Sequence, residues 1–146
     1  MEEVERDCLW CVNPLTVAVN AKGKRRLCLD LSRYMNKIVK VPKFKLESTL
    51  AALQVIEKEE YMFSFDLKSA YHQIKVNDNF TKCLGFAIEE GDGRKRYFKY
   101  LSLPFGLNNA MRVLTKLMKS PLERWRSKEM KVFIHVDDGL GIVKGR

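Results

Sequence analysis

The chain has 146 residues, 46% of them hydrophobic, which suits one domain with a substantial core. Lysine and arginine number 27 against 18 aspartate and glutamate, so the formal net charge is +9 and a polyanionic partner such as nucleic acid is favoured. No apolar run approaches the roughly 18 residues that a membrane span requires, and the acidic N-terminus is unlike a secretory signal. We therefore expect no membrane association and an intracellular protein, cytoplasmic or nuclear.

The four cysteines are too few for a dense disulfide framework. Cys8 and Cys11 have the spacing of a zinc or redox pair, but no second close pair follows and both histidines are distant in sequence. We interpret Cys8 and Cys11 as small, semi-buried residues at the start of a strand.

The first predicted element is a β-hairpin with a cationic tip. Residues 14–20 alternate as a strand, a basic turn surrounds Gly23, and residues 25–30 resume the strand pattern. Leucine and isoleucine then recur along residues 46–60 at spacings of three and four, which predicts a helix. The apolar run from residue 62 onward predicts a strand that carries Asp66.

Three further elements follow along the chain. Residues 83–101 predict a second hairpin with its turn at 89–93. An apolar stripe over residues 107–125 predicts a helix that Pro121 should kink or break. Residues 132–143 predict two short strands joined by a turn at Asp137-Asp138-Gly139. This order of elements predicts one domain of the α+β class, an antiparallel sheet with helices packed on one face.

Three aspartates form the candidate functional site. Asp66 stands in an apolar run, where a buried carboxylate is costly unless a cation pairs with it. Asp66 and Asp137, brought together, would suit a site for two Mg²⁺ ions of the kind that polymerases and nucleases use, and Mn²⁺ would use the same ligands. Asp138 is expected to face partly away, because neighbouring strand residues point to opposite faces. Taken singly, Asp-Asp-Gly also fits a plain turn, Asp66 a helix cap, and the basic hairpin tip a solvated surface.

Four segments together resemble reverse transcriptase, the RNA-directed DNA polymerase of retroelements. Residues 65–74 (FDLKSAYHQI) resemble its first palm motif, residues 103–110 (LPFGLNNA) its second, and residues 135–138 (HVDD) its Tyr-x-Asp-Asp third. Residues 13–33 are similar to its fingers hairpin. The match extends from about residue 12 to residue 144, and its details are closest to long-terminal-repeat and DIRS-like retroelements.

The resemblance implies a polymerase palm-and-fingers fold, present here as a single partial domain over residues 1–146. Residues 12–60 would form the fingers with the helix that leads into the palm, and residues 61–146 would be mainly palm with an inserted fingers hairpin near 83–101. The family's primer grip, thumb and RNase H domain are not expected within these residues.

The resemblance also implies individual roles. Asp66, Asp137 and Asp138 would be the catalytic carboxylates and metal ligands, with the Leu67 carbonyl as a further ligand. An RNA or DNA template with its primer would be bound together with a deoxynucleoside triphosphate. The residues implied to contact that nucleotide are Lys22 and Arg26 at the phosphates, Ser69 and Ala70 through backbone N–H groups, Tyr71 beneath the deoxyribose, and Phe105 and Gly106 on the nucleotide and template side.

Two residues depart from the family's pattern. His135 stands where tyrosine is usual, and Arg112 stands where an apolar or aromatic residue is usual, so its charge on the inner side of the helix should weaken packing. We expect an RNA-directed DNA polymerase fragment. The alternative is a catalytically inactive retroelement remnant that binds nucleic acid by charge. An RNA-dependent RNA polymerase is disfavoured, because Tyr71 would clash with a ribose hydroxyl.

Overall fold

The structure, a computed structural model, describes residues 1–21 and 23–144. The strands in these residues are β1 (Glu2–Val4), β2 (Val12–Asn13), β3 (Leu15–Val19), β4 (Arg25–Leu29), β5 (Glu60–Asp66), β6 (Gly85–Glu89), β7 (Lys95–Lys99), β8 (Lys131–His135) and β9 (Asp138–Lys144). The helices are α1 (Met35–Ile38), α2 (Thr49–Leu53), α3 (Asp78–Thr81) and α4 (Ala110–Arg126), with 3₁₀ turns at Arg6–Cys8 and Ala70–Gln73. Among the described residues, no helix has the length and apolar character needed to cross a membrane.

The chain divides into two compact units, each built from two separate stretches. Unit 1 comprises Met1–Val41 and Tyr71–Ala110, and unit 2 comprises Pro42–Ala70 and Met111–Arg146. The α+β class is confirmed, but the described strands form three sheets rather than the single antiparallel sheet expected.

The larger sheet of unit 1 has the strand order β1-β7-β6-β2. The predicted second hairpin is confirmed as β6 and β7, which pair antiparallel. β1 also pairs antiparallel with β7, whereas β2 runs parallel to β6. The sequence patterns did not predict β1, because two of its three residues are acidic; ion pairs hold them to β7, Glu2 to Lys99 at 3.0 Å and Glu3 to Arg96 at 2.6 Å.

Asn13 fixes β2 against β6 from inside the core of unit 1. Its side chain is 2% exposed, and Nδ2 donates to the carbonyl oxygens of Cys83 and Gly85 at 2.9 and 3.0 Å. The backbones lie so close that a Cβ on Gly85 would be 2.6 Å from the carbonyl oxygen of Cys11. A side chain at position 85 would therefore separate the two strands.

The predicted first hairpin is confirmed as β3 and β4, which form a separate two-stranded sheet. At its base, Leu15 lies opposite Leu29, which is 1% exposed. Towards the tip, Val17 and Val19 are more than half exposed. The hairpin is thus anchored at one end and open to solvent at the other.

The described cysteines are all free thiols. Cys11 is half-buried and directly precedes β2, as expected of a residue at the start of a strand. The same expectation is wrong for Cys8, which is exposed in the 3₁₀ turn Arg6–Cys8.

Unit 2 is built on a three-stranded antiparallel sheet of order β5-β9-β8. Phe63 and Phe65 of β5 lie over two glycines of β9, so a Cβ on Gly141 or Gly139 would be 2.2 or 2.1 Å from a ring atom. α4 packs on this sheet through Leu122, and its neighbour in the same core, Trp125, lies edge-on to Phe65 with ring centroids 6.0 Å apart. Aromatic rings covering cross-strand glycines fix the register of β5 against β9.

The helix predicted over residues 46–60 is much shorter in the structure, where α2 covers only Thr49–Leu53. Ser48 caps it, because its side chain accepts a hydrogen bond from the N–H of Leu50 at 3.2 Å. Glu47 is held outside the helix, since its carboxylate accepts the backbone N–H of Ile134 at 3.0 Å. At the other end, Glu60 already belongs to β5.

Pro121 was expected to kink or break the helix over residues 107–125, and the break does not occur, because α4 runs through Pro121 from Ala110 to Arg126. Proline removes one hydrogen bond, to the carbonyl four residues earlier. That residue, Leu117, is 52% exposed, so water can reach the freed carbonyl. Packing of α4 through the buried Leu114 and Leu122 keeps the helix continuous.

Candidate functional site

The candidate carboxylate site lies in unit 2, where β5 ends and β9 begins. The hairpin between β8 and β9 turns at Val136 and Asp137, one to two residues earlier than the predicted Asp137-Asp138-Gly139 turn. The prediction was wrong because Gly139 is needed inside β9, where it lies opposite Phe65 and leaves room for the ring. Asp138 is therefore a strand residue, and Asp137 occupies the turn.

The register of the sheet places Asp66 opposite Asp138, and Asp138 opposite His135. Directly opposed residues of antiparallel strands project from the same face, with Cβ atoms about 4.5–5.5 Å apart. Asp66, Asp138 and His135 thus share one face at the end of the sheet. From the sequence we predicted that Asp66 and Asp137 would form the metal site and that Asp138 would face partly away. The strand register instead makes Asp138 the direct neighbour of Asp66.

Asp137 is tied to the same place through its backbone. Its carbonyl oxygen accepts the N–H of Leu67 at 2.8 Å, one residue beyond the end of β5. The preceding Val136 has φ 62°, a left-handed conformation that is strained for a β-branched residue. Such strain persists only where the surrounding structure imposes it, here the ladders on both sides of the turn.

Leu67, Ser69 and Ala70 form a tight turn after β5. The N–H of Ala70 donates to the Leu67 carbonyl at 3.1 Å, and Ser69 has φ 54°. The Leu67 carbonyl, predicted as a further metal ligand, is therefore hydrogen-bonded to the Ala70 N–H, which was predicted to bind phosphate. A carbonyl oxygen has a second lone pair, so the Leu67 oxygen can still coordinate a cation.

The donors at this site suit a hard divalent cation, because they are carboxylate and carbonyl oxygens. Like charges directly opposite on a sheet destabilise it, so a cation between Asp66 and Asp138 would relieve their repulsion. In the described part of the chain, no group of three or more His, Cys, Asp or Glu side chains converges closely enough to hold a metal ion. The strand pairing sets Asp66 opposite Asp138, and Asp137 lies in the adjoining turn.

His135 is held by Glu47, a residue that sequence reasoning placed inside the predicted helix. His135 Nδ1 lies 3.0 Å from the Glu47 carbonyl oxygen, which can only accept, so Nδ1 is the donor in this hydrogen bond. The Glu47 carboxylate in turn accepts from Arg126 at 2.5 Å. Together with Ser48 and Asp138, Glu47 and His135 line a cavity of about 160 Å³.

Unit 1 contains a group of aromatic and cationic side chains centred on Phe105. The Tyr71 ring lies edge-on to it with centroids 5.3 Å apart, and the His72 ring lies at 5.1 Å. The guanidinium carbon of Arg26 is 5.9 Å from the Phe105 centroid. Arg26, Tyr71 and Phe105 were predicted to contact the nucleotide, and the structure brings all three together. His72 was missed, although it directly follows Tyr71 in the motif; Lys22 lies outside the described residues.

Asn36 holds the loop that carries Phe105. Its Nδ2 donates to the Gly106 carbonyl at 2.8 Å, and its Oδ1 accepts the N–H of Asn108 at 3.0 Å. The Asn108 side chain returns a hydrogen bond to the Asn36 carbonyl at 3.0 Å. Gly106 has φ 106°, and a Cβ there would be 2.0 Å from the Leu29 carbonyl oxygen, so only glycine fits.

Residues 15–146 match the family described as reverse transcriptase (RNA-dependent DNA polymerase). The chain therefore belongs to the reverse transcriptase family, whose members are nucleotidyltransferases that use divalent metal ions. The resemblance seen in the motifs is confirmed.

The relatives are viral and retrotransposon polyproteins. The chain is 27% identical over 97 residues to a putative enzymatic polyprotein of Cassava vein mosaic virus, which covers 66% of the chain and 14% of the relative. It is 24% identical over 129 residues to the retrovirus-related Pol polyprotein from transposon gypsy of Drosophila melanogaster, which covers 88% of the chain and 12% of the relative. The chain thus spans only about an eighth of the length of these relatives.

The fold is that of a reverse transcriptase polymerase domain. A solved structure of the foamy viral protease-reverse transcriptase in complex with double-stranded DNA superimposes with a TM-score of 0.77 at 20% identity. The match covers 94% of the chain and 22% of that protein. The predicted polymerase fold is confirmed.

Proposed function

We propose that this chain is a catalytic part of an RNA-directed DNA polymerase, which adds deoxynucleotides to a primer 3′-hydroxyl opposite a template and releases pyrophosphate. The single observation that carries the proposal is the register that sets Asp66 opposite Asp138, with Asp137 in the adjoining turn. Membership of the reverse transcriptase family supports it. The domain assignment goes with it: fingers over about residues 12–60, palm over 61–146, and an inserted fingers hairpin near 83–101.

The metal ligands of the proposed site would be Asp66, Asp137, Asp138 and the Leu67 carbonyl. Two bound Mg²⁺ ions, or Mn²⁺ with the same ligands, would activate the attacking hydroxyl and stabilise the leaving oxygen. The protein's own part is to hold the carboxylates at the ends of paired strands, so that little reorganisation is needed when the substrates bind.

The incoming deoxynucleotide would be bound by the residues that the motifs implied. The Arg26 guanidinium suits phosphate oxygens because it forms charge-assisted hydrogen bonds, and Phe105 beneath it keeps the guanidinium plane in place. Tyr71, packed on Phe105, would lie beneath the deoxyribose. Lys22, Ser69 and Gly106 complete the proposed nucleotide contacts; the Ala70 N–H, also implied by the motifs, would have to leave the Leu67 carbonyl to reach a phosphate.

Primer extension on an RNA template tests the proposal directly. With Mg²⁺ and deoxynucleotides, Asp66→Asn should lower the extension rate by about 1000-fold or more, since a lost metal ligand removes several kcal/mol of transition-state stabilisation. The matched control is Asp7→Asn, the same change at an exposed residue of a 3₁₀ turn. Extension that survives Asp66→Asn would refute the two-metal assignment.

The second candidate is a catalytically inactive remnant that binds nucleic acid by charge. Two observations favour it: the net charge of +9, and the absence of a converged three-carboxylate group within the described residues. Wild-type protein that binds a primer–template but extends it in neither Mg²⁺ nor Mn²⁺ would establish this candidate over the polymerase.

A further inference from the structure

A groove of about 350 Å³ runs along one face of α4 in unit 2. Its floor is apolar and includes Met118, Leu122 and Ile134, and Phe44 contributes an aromatic wall that is 37% exposed. The volume falls within the range of sites that bind small molecules or single residues of a polymer, about 300–1,000 Å³.

The groove carries an excess of positive charge. Its charged lining residues are Lys45, Arg112, Lys116, Lys119 and Arg126 against Glu47 and Glu123. Arg126 pairs with Glu47, and Lys119 lies 3.9 Å from Glu123. Lys45, Arg112 and Lys116 form no side-chain hydrogen bond or ion pair within residues 1–21 and 23–144. Three cations in the groove are therefore uncompensated.

Arg112 is the informative member of this group. The sequence marked it as a charge on the inner side of a helix, which should weaken packing. The structure places it half-buried at the groove, one helical turn from Lys116 on the same face of α4. A partly desolvated guanidinium without a partner is unfavourable, and an anion bound beside it would remove that cost.

We propose that this groove binds an unpaired nucleotide of single-stranded nucleic acid, with its phosphate against Arg112 and Lys116 and its base against Phe44. A cationic groove combined with an aromatic platform is the chemistry that holds single strands without reading their sequence. The choice of nucleic acid as the anion rests on the proposed function. Asp66, Asp137 and Asp138 do not line the groove, which shares Glu47 and Ile134 with the cavity beside Asp138.

Fluorescence anisotropy with a labelled single-stranded oligonucleotide tests the proposal, without metal or nucleotide so that no chemistry occurs. Arg112→Gln combined with Lys116→Gln should weaken binding about tenfold at low salt and lower the slope of log affinity against log salt by about 0.7–1.4. The matched control is Arg124→Gln with Lys128→Gln, which removes the same charge from exposed residues outside the groove. Equal losses in both double variants, or no loss in either, would overturn the proposal.

The stacking contact has its own test. Phe44→Ala should weaken single-strand binding about fivefold or more, and Phe44→Trp should restore it. Free deoxynucleoside monophosphate should compete poorly, and a fully paired duplex should bind without dependence on Arg112 and Lys116. Tight, groove-dependent binding of the monophosphate or of duplex would instead refute a single-strand site.

The outcomes separate this inference from the proposed polymerase activity. Groove-dependent binding in a protein that extends no primer would support the inference while the polymerase proposal fails. Normal primer extension in a protein whose single-strand binding does not depend on Arg112, Lys116 and Phe44 would support the polymerase proposal and refute the groove.

Discussion

At the scale of single residues, Asn36 and Tyr71 act on the same loop of unit 1 in different ways. Asn36 belongs to none of the motifs that resemble the palm, yet its side chain holds both Gly106 and Asn108 by hydrogen bonds. Tyr71 was identified from a motif, and its ring packs against Phe105 in that loop. One residue sets the conformation of the loop, and the other uses the surface that this conformation creates.

Replacing Asn36 by alanine should lower the free energy of unfolding by about 1–2 kcal/mol, because two hydrogen bonds to the loop are lost. Urea denaturation of both proteins measures the difference. Asn79→Ala is the control, because Asn79 is exposed in α3 and its side chain holds no loop. An Asn36→Ala protein as stable as Asn79→Ala would show that the loop keeps its form unaided.

Tyr71→Ala should raise incorporation of ribonucleotides relative to deoxynucleotides by about 10-fold or more, because the ring would no longer exclude a 2′-hydroxyl. The ratio of kcat/KM values for matched nucleotides measures this preference. Tyr71→Phe keeps the ring and should keep the discrimination. Unchanged discrimination in Tyr71→Ala would reject Tyr71 as the sugar-selective residue.

At the scale of elements, the sheet of unit 2 is defined by two kinds of contact. Phe63 and Phe65 lie over the glycines of β9, which sets the register that pairs Asp66 with Asp138. At the far end, Lys131 of β8 donates to Glu60 Oε1 at 2.8 Å, to Glu57 Oε1 at 3.0 Å and to the Val55 carbonyl at 2.8 Å. Packing fixes the carboxylate end, and a charged cluster fixes the other.

Gly139→Ala should destabilise the protein by about 1–3 kcal/mol, because the new methyl group would collide with the Phe65 ring. Phe65→Ala alone should cost about 3–5 kcal/mol through lost packing on Trp125. In the double variant the collision is absent, so its loss of unfolding free energy should be smaller than the sum of the two single losses. Strict additivity would mean that ring and glycine do not constrain each other.

The Lys131 cluster predicts a dependence of stability on pH. The hydrogen bond from Lys131 lowers the pKa of Glu60 below its usual 4.5, so the unfolded chain takes up this proton more readily. The stabilisation is present above pH 4.5 and is lost as pH falls through the folded pKa. The pKa of Lys131 is raised mainly by its hydrogen bond to Glu60, so its own contribution is lost only in strong alkali.

Lys131→Met tests this cluster by removing the ammonium group while keeping most of the chain length. Thermal unfolding of wild type and variant, followed from pH 7 to pH 3, should show the wild-type advantage shrinking below pH 4.5. A constant difference across this range would mean that Glu60 gains nothing from Lys131.

At the scale of the whole molecule, sequence patterns predicted the first two hairpins, the strand that carries Asp66 and the long helix, because each depends on local periodicity and turn residues. The sequence patterns gave wrong element boundaries where contacts with residues distant in the chain determine them. The helix after residue 46 is cut short because Glu47 is hydrogen-bonded to Ile134 and Arg126, and the last turn moves because Gly139 must lie beneath Phe65. The motifs predicted that Arg26, Tyr71 and Phe105 act at one site, and the structure places the three side chains together, but no local signal in the sequence could single out Asn36.

The pairing of β5 with β9 also has a consequence for synthesis on the ribosome. β5 ends at Asp66, but its pairing partner begins only at Asp138 and is the central strand of its sheet. A nascent chain therefore emerges with the edge of β5 unpaired until β9 is made, a stage at which chaperones would find an open strand edge. Asp66 and Asp138 meet only when this strand docks, so the carboxylate site is among the last features of the described chain to form.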